Sequence, residues 1–321
     1  MALIEVFPNS PTAIQDAVTM SNEGDVILVH RGVYHESVQV SSVKNNIRII
    51  SKHKHAAILD GRCMELEAFE LNGVAGVEIY GFIIKNYLSR GIQLINAKSN
   101  HILSNKIYHI TGGVDPIGIF VNNSVGNLFM KNVVERIGIA ESGSGIYLQT
   151  VTGNWVIKNK LKHNSAQGIE VLDGSHNAII GNQISHNKGD GILVNRVDNN
   201  LIYDNKITDN GNNGVNAQSM NTMVLDSKIK GNRENGLFIA LNYNFAGFNE
   251  IKDNKQSGIQ VSSDFNDIQN NKIEKNEDNG VFIHHPQTAN FVFENQFKRN
   301  NPHNIKDQGE NNTIIQNTIK E

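Results

Sequence analysis

The sequence predicts an all-β protein, a single-stranded right-handed parallel β-helix, and three observations predict it. The phrase glycine, aliphatic, any residue, aliphatic recurs as Gly168-Ile169-Glu170-Val171, Gly191-Ile192-Leu193-Val194, Gly214-Val215-Asn216-Ala217, Gly236-Leu237-Phe238-Ile239, Gly258-Ile259-Gln260-Val261 and Gly280-Val281-Phe282-Ile283. These glycines follow one another at 23, 23, 22, 22 and 22 residues, and a period in this range marks a solenoid. Each period holds three short segments with apolar residues at alternate positions, the strand period of two and not the helical 3.6. Asparagine columns run in step with both. One comprises Asn182, Asn205, Asn249 and Asn271, and a second Asn177, Asn200, Asn221, Asn244, Asn266, Asn290 and Asn312. The third is Asn164, Asn187, Asn210, Asn232, Asn254, Asn276 and Asn300. Asparagine tolerates the left-handed backbone of a sharp bend, so the third column is expected at the corners. Stacked asparagines can also bond from coil to coil across the strand spacing of about 4.8 Å. Three strands per coil make three parallel sheets, and the preference of parallel crossovers makes the coil right-handed.

A single domain spanning 1–321 is expected, with about twelve coils of 22–27 residues. Residues 10–22 form its N-terminal capping helix: Ser10-Pro11-Thr12 supplies a polar cap and a proline in the first turn, and Ala13, Ile14, Ala17 and Val18 an apolar face. Residues 24–90 are the opening coils and 91–321 the regular repeats. Gly91, Gly118 and Gly145 lie 27 apart, and the extra residues fall in 111–117 and 137–144, ahead of the Gly-aliphatic strand. Insertions on one face of a solenoid commonly mark its binding face. Ile314, Ile315 and Ile319 continue the pattern to the last coil, whose open edge is expected to be covered by its own side chains or by a second copy, a two-fold homodimer being the commonest closed solution.

Composition excludes several classes. The net charge of −3 gives no basic field to recruit nucleic acid. No apolar run of 18 residues exists to cross a membrane, and no signal peptide is visible, so a cytoplasmic protein or the mature form of a secreted one is expected. The single cysteine, Cys63, excludes an intrachain disulfide. His163, His186 and Asp209 stack one coil apart, but the outer pair would be about 10 Å apart, too far for one ion. Neither a metal nor a cofactor is expected.

With this repeat, and with Gly32-Val33-Tyr34-His35-Glu36 and Ala57-Ile58-Leu59-Asp60-Gly61 in the opening coils, the chain resembles the right-handed parallel β-helices of the pectin-lyase-like superfamily. That group includes pectate lyases, polygalacturonases and mannuronan epimerases. The opening segments resemble those of pectin methylesterases, but the aspartate and arginine signatures of that activity do not follow. The aspartate pairs and Gly-His-Gly segment of polygalacturonases have no counterpart. The Asp-Pro-His segment of mannuronan epimerases is reduced to Asp115-Pro116 followed by Ile117.

The aliphatics of each Gly-Ile-x-Val strand point inward, so the residue between them and the one after point out. This outward strip alternates aromatics with amides, from Phe120 and Asn122 through Tyr147 and Gln149 to Glu170 and Leu172, then Leu193 and Asn195. Aromatic faces and amides suit sugar rings, with their apolar C–H faces and hydroxyl rims. A lyase or epimerase needs a base for the proton beside a uronate carboxyl and a group to neutralise that carboxylate. The candidate catalytic residues are Asp115, Arg136, Glu141, Tyr147 and Glu170, and the candidate substrate-binding residues Phe120, Asn122, Gln149, Asp173 and Asn195. Two functions stay open: a polysaccharide lyase or epimerase acting on an acidic, uronate polysaccharide, and a non-catalytic binding or structural β-helix rod.

Overall fold

A computed structural model describes residues 1–41, 43–140 and 142–320, in two compact units, Met1–Ala166 and Gln167–Glu321. Each unit is a coil of short strands distributed over three parallel sheets. In the first unit one sheet stacks Leu3–Val6, Val26–Val29, Arg48–Ser51, Glu78–Tyr80, His101–Leu103, Leu128–Met130 and Trp155–Ile157. The second runs from Gly32–Tyr34 to Lys160–Lys162, and the third comprises Val38–Ser41, Glu67–Asn72, Arg90–Ile95, Ile117–Asn122 and Ser144–Thr152. In the second unit each sheet has seven described strands, and the Gly-aliphatic one runs from Ile169–Ser175 to Ile305–Asp307.

Register follows the repeat. Ile169 pairs with Ile192, which pairs with Val215, and Leu237 pairs with Ile259, which pairs with Val281. Ile169, Val171, Ile192, Val194, Ile259 and Val261 are all fully buried, and each such side chain is worth about 1.5–3 kcal/mol of transfer free energy. The strand Leu3–Val6, on Val26–Val29, opens the coil ahead of the first segment that the alternation marks.

The asparagines do something different at the corners from what their backbone tolerance predicts. The left-handed residue is the one before each asparagine: His186, Asp209, Gly231, Asp253, Lys275 and Arg299 have φ between 53° and 68° in the second unit, and His163, ahead of Asn164, has 56° in the first, where His109 and Arg136 hold the same conformation, at 55° and 56°, ahead of Ile110 and Ile137. The asparagine itself turns its side chain into the wall. Asn187 Nδ2 donates to Asn210 Oδ1 at 3.0 Å, and the chain of bonds continues through Asn232, Asn254 and Asn276 to Asn300 at 2.9–3.0 Å. Each Oδ1 also accepts a backbone N–H, as Asn254 Oδ1 does from Asn232 at 3.0 Å. Buried backbone donors at a bend have no sheet partner, and the ladder satisfies them. In the column headed by Asn177 it is Thr222, not Asn221, that occupies the ladder. Thr222 N donates to Asn244 Oδ1 at 2.9 Å, while Asn221 is the exposed left-handed residue, with φ 51°.

The recurrent glycine is required by closeness, not by its dihedral angles. A Cβ on Gly236 would lie 2.4 Å from Ile251 Cγ2 and 2.7 Å from the carbonyl oxygen of Gly258 in the next coil. The N-terminal helix is Ala13–Met20, shorter than residues 10–22, with Pro11 ahead of its first turn. Thr12 makes no side-chain cap bond; the carboxylate of Glu36, 4% exposed, accepts from Ile14 N at 3.1 Å and Gln15 N at 2.9 Å instead. The cap thus comes from the first coil that the helix covers, tying it down with two charge-assisted bonds. At the other end Ile315 and Ile319 are 46% and 64% exposed.

Candidate functional site

In the first unit the Gly-aliphatic sheet turns two rows of side chains outward. Backbone register aligns Gln39, Glu70, Gln93, Phe120 and Tyr147 in one row, and Asn72, Ile95, Asn122 and Gln149 in the other. Strand pairing brings the Phe120 and Tyr147 rings to 5.7 Å between centroids, tilted by 57°. One residue absent from the sequence-derived set completes the group. Arg90 opens the strand below Phe120, pairs in register with Glu67, and holds its guanidinium carbon 4.8 Å from the Phe120 ring centroid. Its Nη1 donates to the carbonyl oxygens of Ser89, at 3.1 Å, and Asp115.

The electrostatics follow from partial burial. Desolvation draws Arg90 below the usual guanidinium value, while Asp115, Glu67 and Tyr147 hold it up, so it remains a cation. Burial and then neighbouring Glu70 push the Glu67 carboxyl above its ordinary value, against the pull of Arg90. A half-shielded cation on an aromatic face, with a second aromatic ring that carries a hydroxyl on the adjoining coil, can receive a carboxylate on one side of a sugar ring and an apolar C–H face on the other.

Of the sequence-derived residues, Asp115, Phe120 and Tyr147 meet Arg90, whereas Asn122 and Gln149 lie further along the same strands, in register with Ile95. Asp115 is exposed, and its backbone oxygen rather than its carboxylate meets the guanidinium. Arg136 is an exposed left-handed corner residue that follows Glu135, whose carboxylate is held low in part by Lys162, Lys106 and Arg136. Glu141 lies outside the described residues. Glu170, Asp173 and Asn195 belong to the second unit: Glu170 is in its outward row in register with Leu193, and Asn195 pairs with Leu172. Asp173, with φ 59°, forms an ion pair with Arg196 at 2.8 and 3.2 Å. Arg90 was legible in one respect: it is a charged residue immediately ahead of the Gly91 strand, and Glu67 occupies the same place one coil earlier. Among the described residues no group of three or more His, Cys, Asp or Glu side chains could hold a metal ion, and no helix is long and apolar enough to cross a membrane.

A family model described as "Right handed beta helix region" matches residues 31–182, 91–247 and 179–319. The chain belongs to this right handed beta helix family. No curated protein matches it. Among solved structures this β-helix protein is similar to the A-module of Azotobacter vinelandii mannuronan C-5 epimerase AlgE6, with TM-score 0.74 and 14% identity over 97% of this chain and 95% of that one. The AlgE4 A-module of the same organism gives TM-score 0.58 at 14% identity, covering 98% and 93% of the two chains. Pectate lyase Pel9A gives 0.57 at 14% identity, covering 99% and 79%. At such identities the likeness is one of fold, and the residues of this chain must carry any argument about its chemistry.

Proposed function

We propose that this β-helix protein is a carbohydrate-acting protein that binds an acidic, uronate-bearing polysaccharide across the first unit, along the row from Glu70 to Tyr147. The observation that carries the reading is the Arg90 guanidinium, 4.8 Å from the Phe120 centroid and on the coil next to it. Arg90 neutralises the uronate carboxylate, which acidifies the proton on the adjoining carbon. Phe120 takes the apolar face of the ring, and Gln93, Asn122 and Gln149 take its hydroxyls. Tyr147 is the proton-transfer group. Abstraction of that proton leads to β-elimination or to epimerisation, and the fold is shared with proteins named for both outcomes, an epimerase of mannuronan and a lyase of pectate.

A non-catalytic binding role is the second reading, and one observation favours it. Arg90 Nη1 donates to backbone oxygens of its own chain, Ser89 and Asp115, as a structural arginine does. Incubation with polymannuronate and polygalacturonate, followed by the absorbance of unsaturated products, by proton NMR of the epimer ratio and by calorimetric binding, separates the two. Turnover establishes the enzyme, binding alone the second reading, and neither sinks both.

A further inference from the structure

A second set of groups lies in the second unit and takes no part in the site above. The residues immediately before the repeat glycines stack into a polar column in which Asp190 Oδ1 accepts from Asn213 N at 2.9 Å and Asn213 Nδ2 at 3.0 Å. Asp190 is 4% exposed, and its Oδ2 accepts from Asn216 Nδ2 at 3.0 Å. Asn213 Nδ2 reaches Glu234 Oε2 as well, at 2.9 Å, and Asn235 Nδ2 closes on Asn213 Oδ1 at 3.0 Å. Above this column is an open depression of about 310 Å³, lined by Asn213, Asn216, Glu234, Phe238 and Gln260 among others. That volume is at the low end of small-molecule sites, which run from roughly 300 to 1,000 Å³.

One atom in it is out of balance. Asn216 lines the depression and is 8% exposed, yet its Oδ1 is buried and accepts no hydrogen bond. A buried amide oxygen without a donor is rare and costly, and a turn of the Asn216 side chain toward the depression that it lines would bring Oδ1 to a ligand hydroxyl as its donor. Phe238 pairs in register with Asn216 and with Gln260 on the coils either side, so an aromatic face stands between two amides. Gln260 Nε2 lies 2.8 Å from His284 Nε2, which orients its amide. Among the described residues no lysine or arginine lines the depression. A carboxylate brought here would meet Glu234, with Asp190 beneath it, and no compensating cation. The chemistry that fits is a ring with hydroxyl donors on its rim, an apolar C–H face and no negative charge.

We propose that the second unit carries a separate binding site for uncharged sugar residues, in which Asn216 and Glu234 accept ligand hydroxyls, Phe238 stacks on the ring and Gln260 holds its rim. This does not depend on the reading of the first unit: a uronate polymer is selected there by Arg90, whereas here the same charge is rejected.

Calorimetric titration of the intact protein with mannohexaose and xylohexaose as uncharged probes, hexamannuronate as the acidic one and hexaglucosamine as the cationic one tests it. At least one uncharged probe is expected to bind, and Asn216→Ala and Phe238→Ala are each expected to weaken it about ten-fold, while Arg90→Ala leaves it unchanged. Phe238 points outward, so its variant keeps the readout if Asn216→Ala fails to fold; circular dichroism of both monitors this. The proposal is overturned if neither uncharged probe binds, if uncharged binding survives in folded variants, or if either charged probe loses more affinity than the uncharged ones in Phe238→Ala.

Discussion

Asn213 joins Asp190 to Glu234 through one nitrogen: its Nδ2 donates to Asp190 Oδ1 at 3.0 Å and to Glu234 Oε2 at 2.9 Å. Burial pushes the Asp190 carboxyl above its ordinary value, against hydrogen bonds from Asn216 and Asn213; burial and then Asp190 push Glu234 the same way. A carboxyl raised in the folded state holds its proton longer than it does in the unfolded chain. Its contribution to stability is complete below the ordinary carboxylate range and is lost as pH rises through the folded value.

The thermal midpoint of the native protein should therefore fall relative to that of Asp190→Asn as pH is raised from about 4 to about 7. Asparagine keeps an acceptor for Asn213, and a turn of the Asn216 amide would offer Oδ1 to the new donor. Midpoints of both proteins across this range test the relationship. Parallel curves would show that the buried carboxyl does not titrate differently on folding.

Removing a ladder asparagine should cost far more than removing a corner one. Asn254→Ala strips an acceptor from Asn232 N and Asn232 Nδ2 and a donor from Asn276 Oδ1, all buried, so a loss of about 2–3 kcal/mol is expected. Asn221→Ala, at an exposed left-handed position, should stay within about 1 kcal/mol. Urea unfolding measures both, and equal losses would refute the division of roles.

That contrast marks how far the sequence could be read. The period, the three sheets and the inward aliphatics were legible because strand burial writes itself as alternation, and the register of Ile169 on Ile192 is the repeat itself. Asn221 and Thr222 were not separable, since a column of asparagines does not state whether its members supply the bend or the bond across it. Arg90 escaped for a related reason: its position before Gly91 is ordinary in sequence, and only the coil above brings Phe120 to its guanidinium. The Oδ1 of Asn216 could not be found at all without the packing that isolates it.

Gly236→Ala should destabilise the chain by about 1–3 kcal/mol although no unusual dihedral is involved, because the added carbon meets Ile251 Cγ2 and the Gly258 oxygen. Pairing it with Ile251→Ala, which vacates part of that space, should recover some of the loss relative to additivity. A double-mutant cycle by denaturant unfolding reads the coupling directly.

In the first unit, Arg90 and Tyr147 are expected to separate binding from chemistry. Arg90→Lys keeps the charge but forfeits the guanidinium's contact with the Phe120 ring, and should weaken oligouronate binding about ten-fold. Tyr147→Phe should bind within a few-fold of the native protein and lose about 10²–10⁴ in turnover if its hydroxyl moves the proton. Affinity by calorimetry and rate at saturation distinguish the two effects. Unchanged turnover in Tyr147→Phe would remove that residue from the reaction.

Every lateral bond of the asparagine ladder from Asn187 to Asn300 joins one coil to the next with the same atoms. A coil can therefore be cut out whole. Excision of residues 233–254 would bring Lys255 after Asn232 and set Asn232 Oδ1 and Nδ2 beside Asn210 and Asn276, partners of the kind they already have, with Val215 facing Ile259 where it faced Leu237. Length in such a wall is a quantity that duplication and deletion can change in steps of 22 residues, and the depression beside Phe238 would vanish in one such step while the wall closed over it intact.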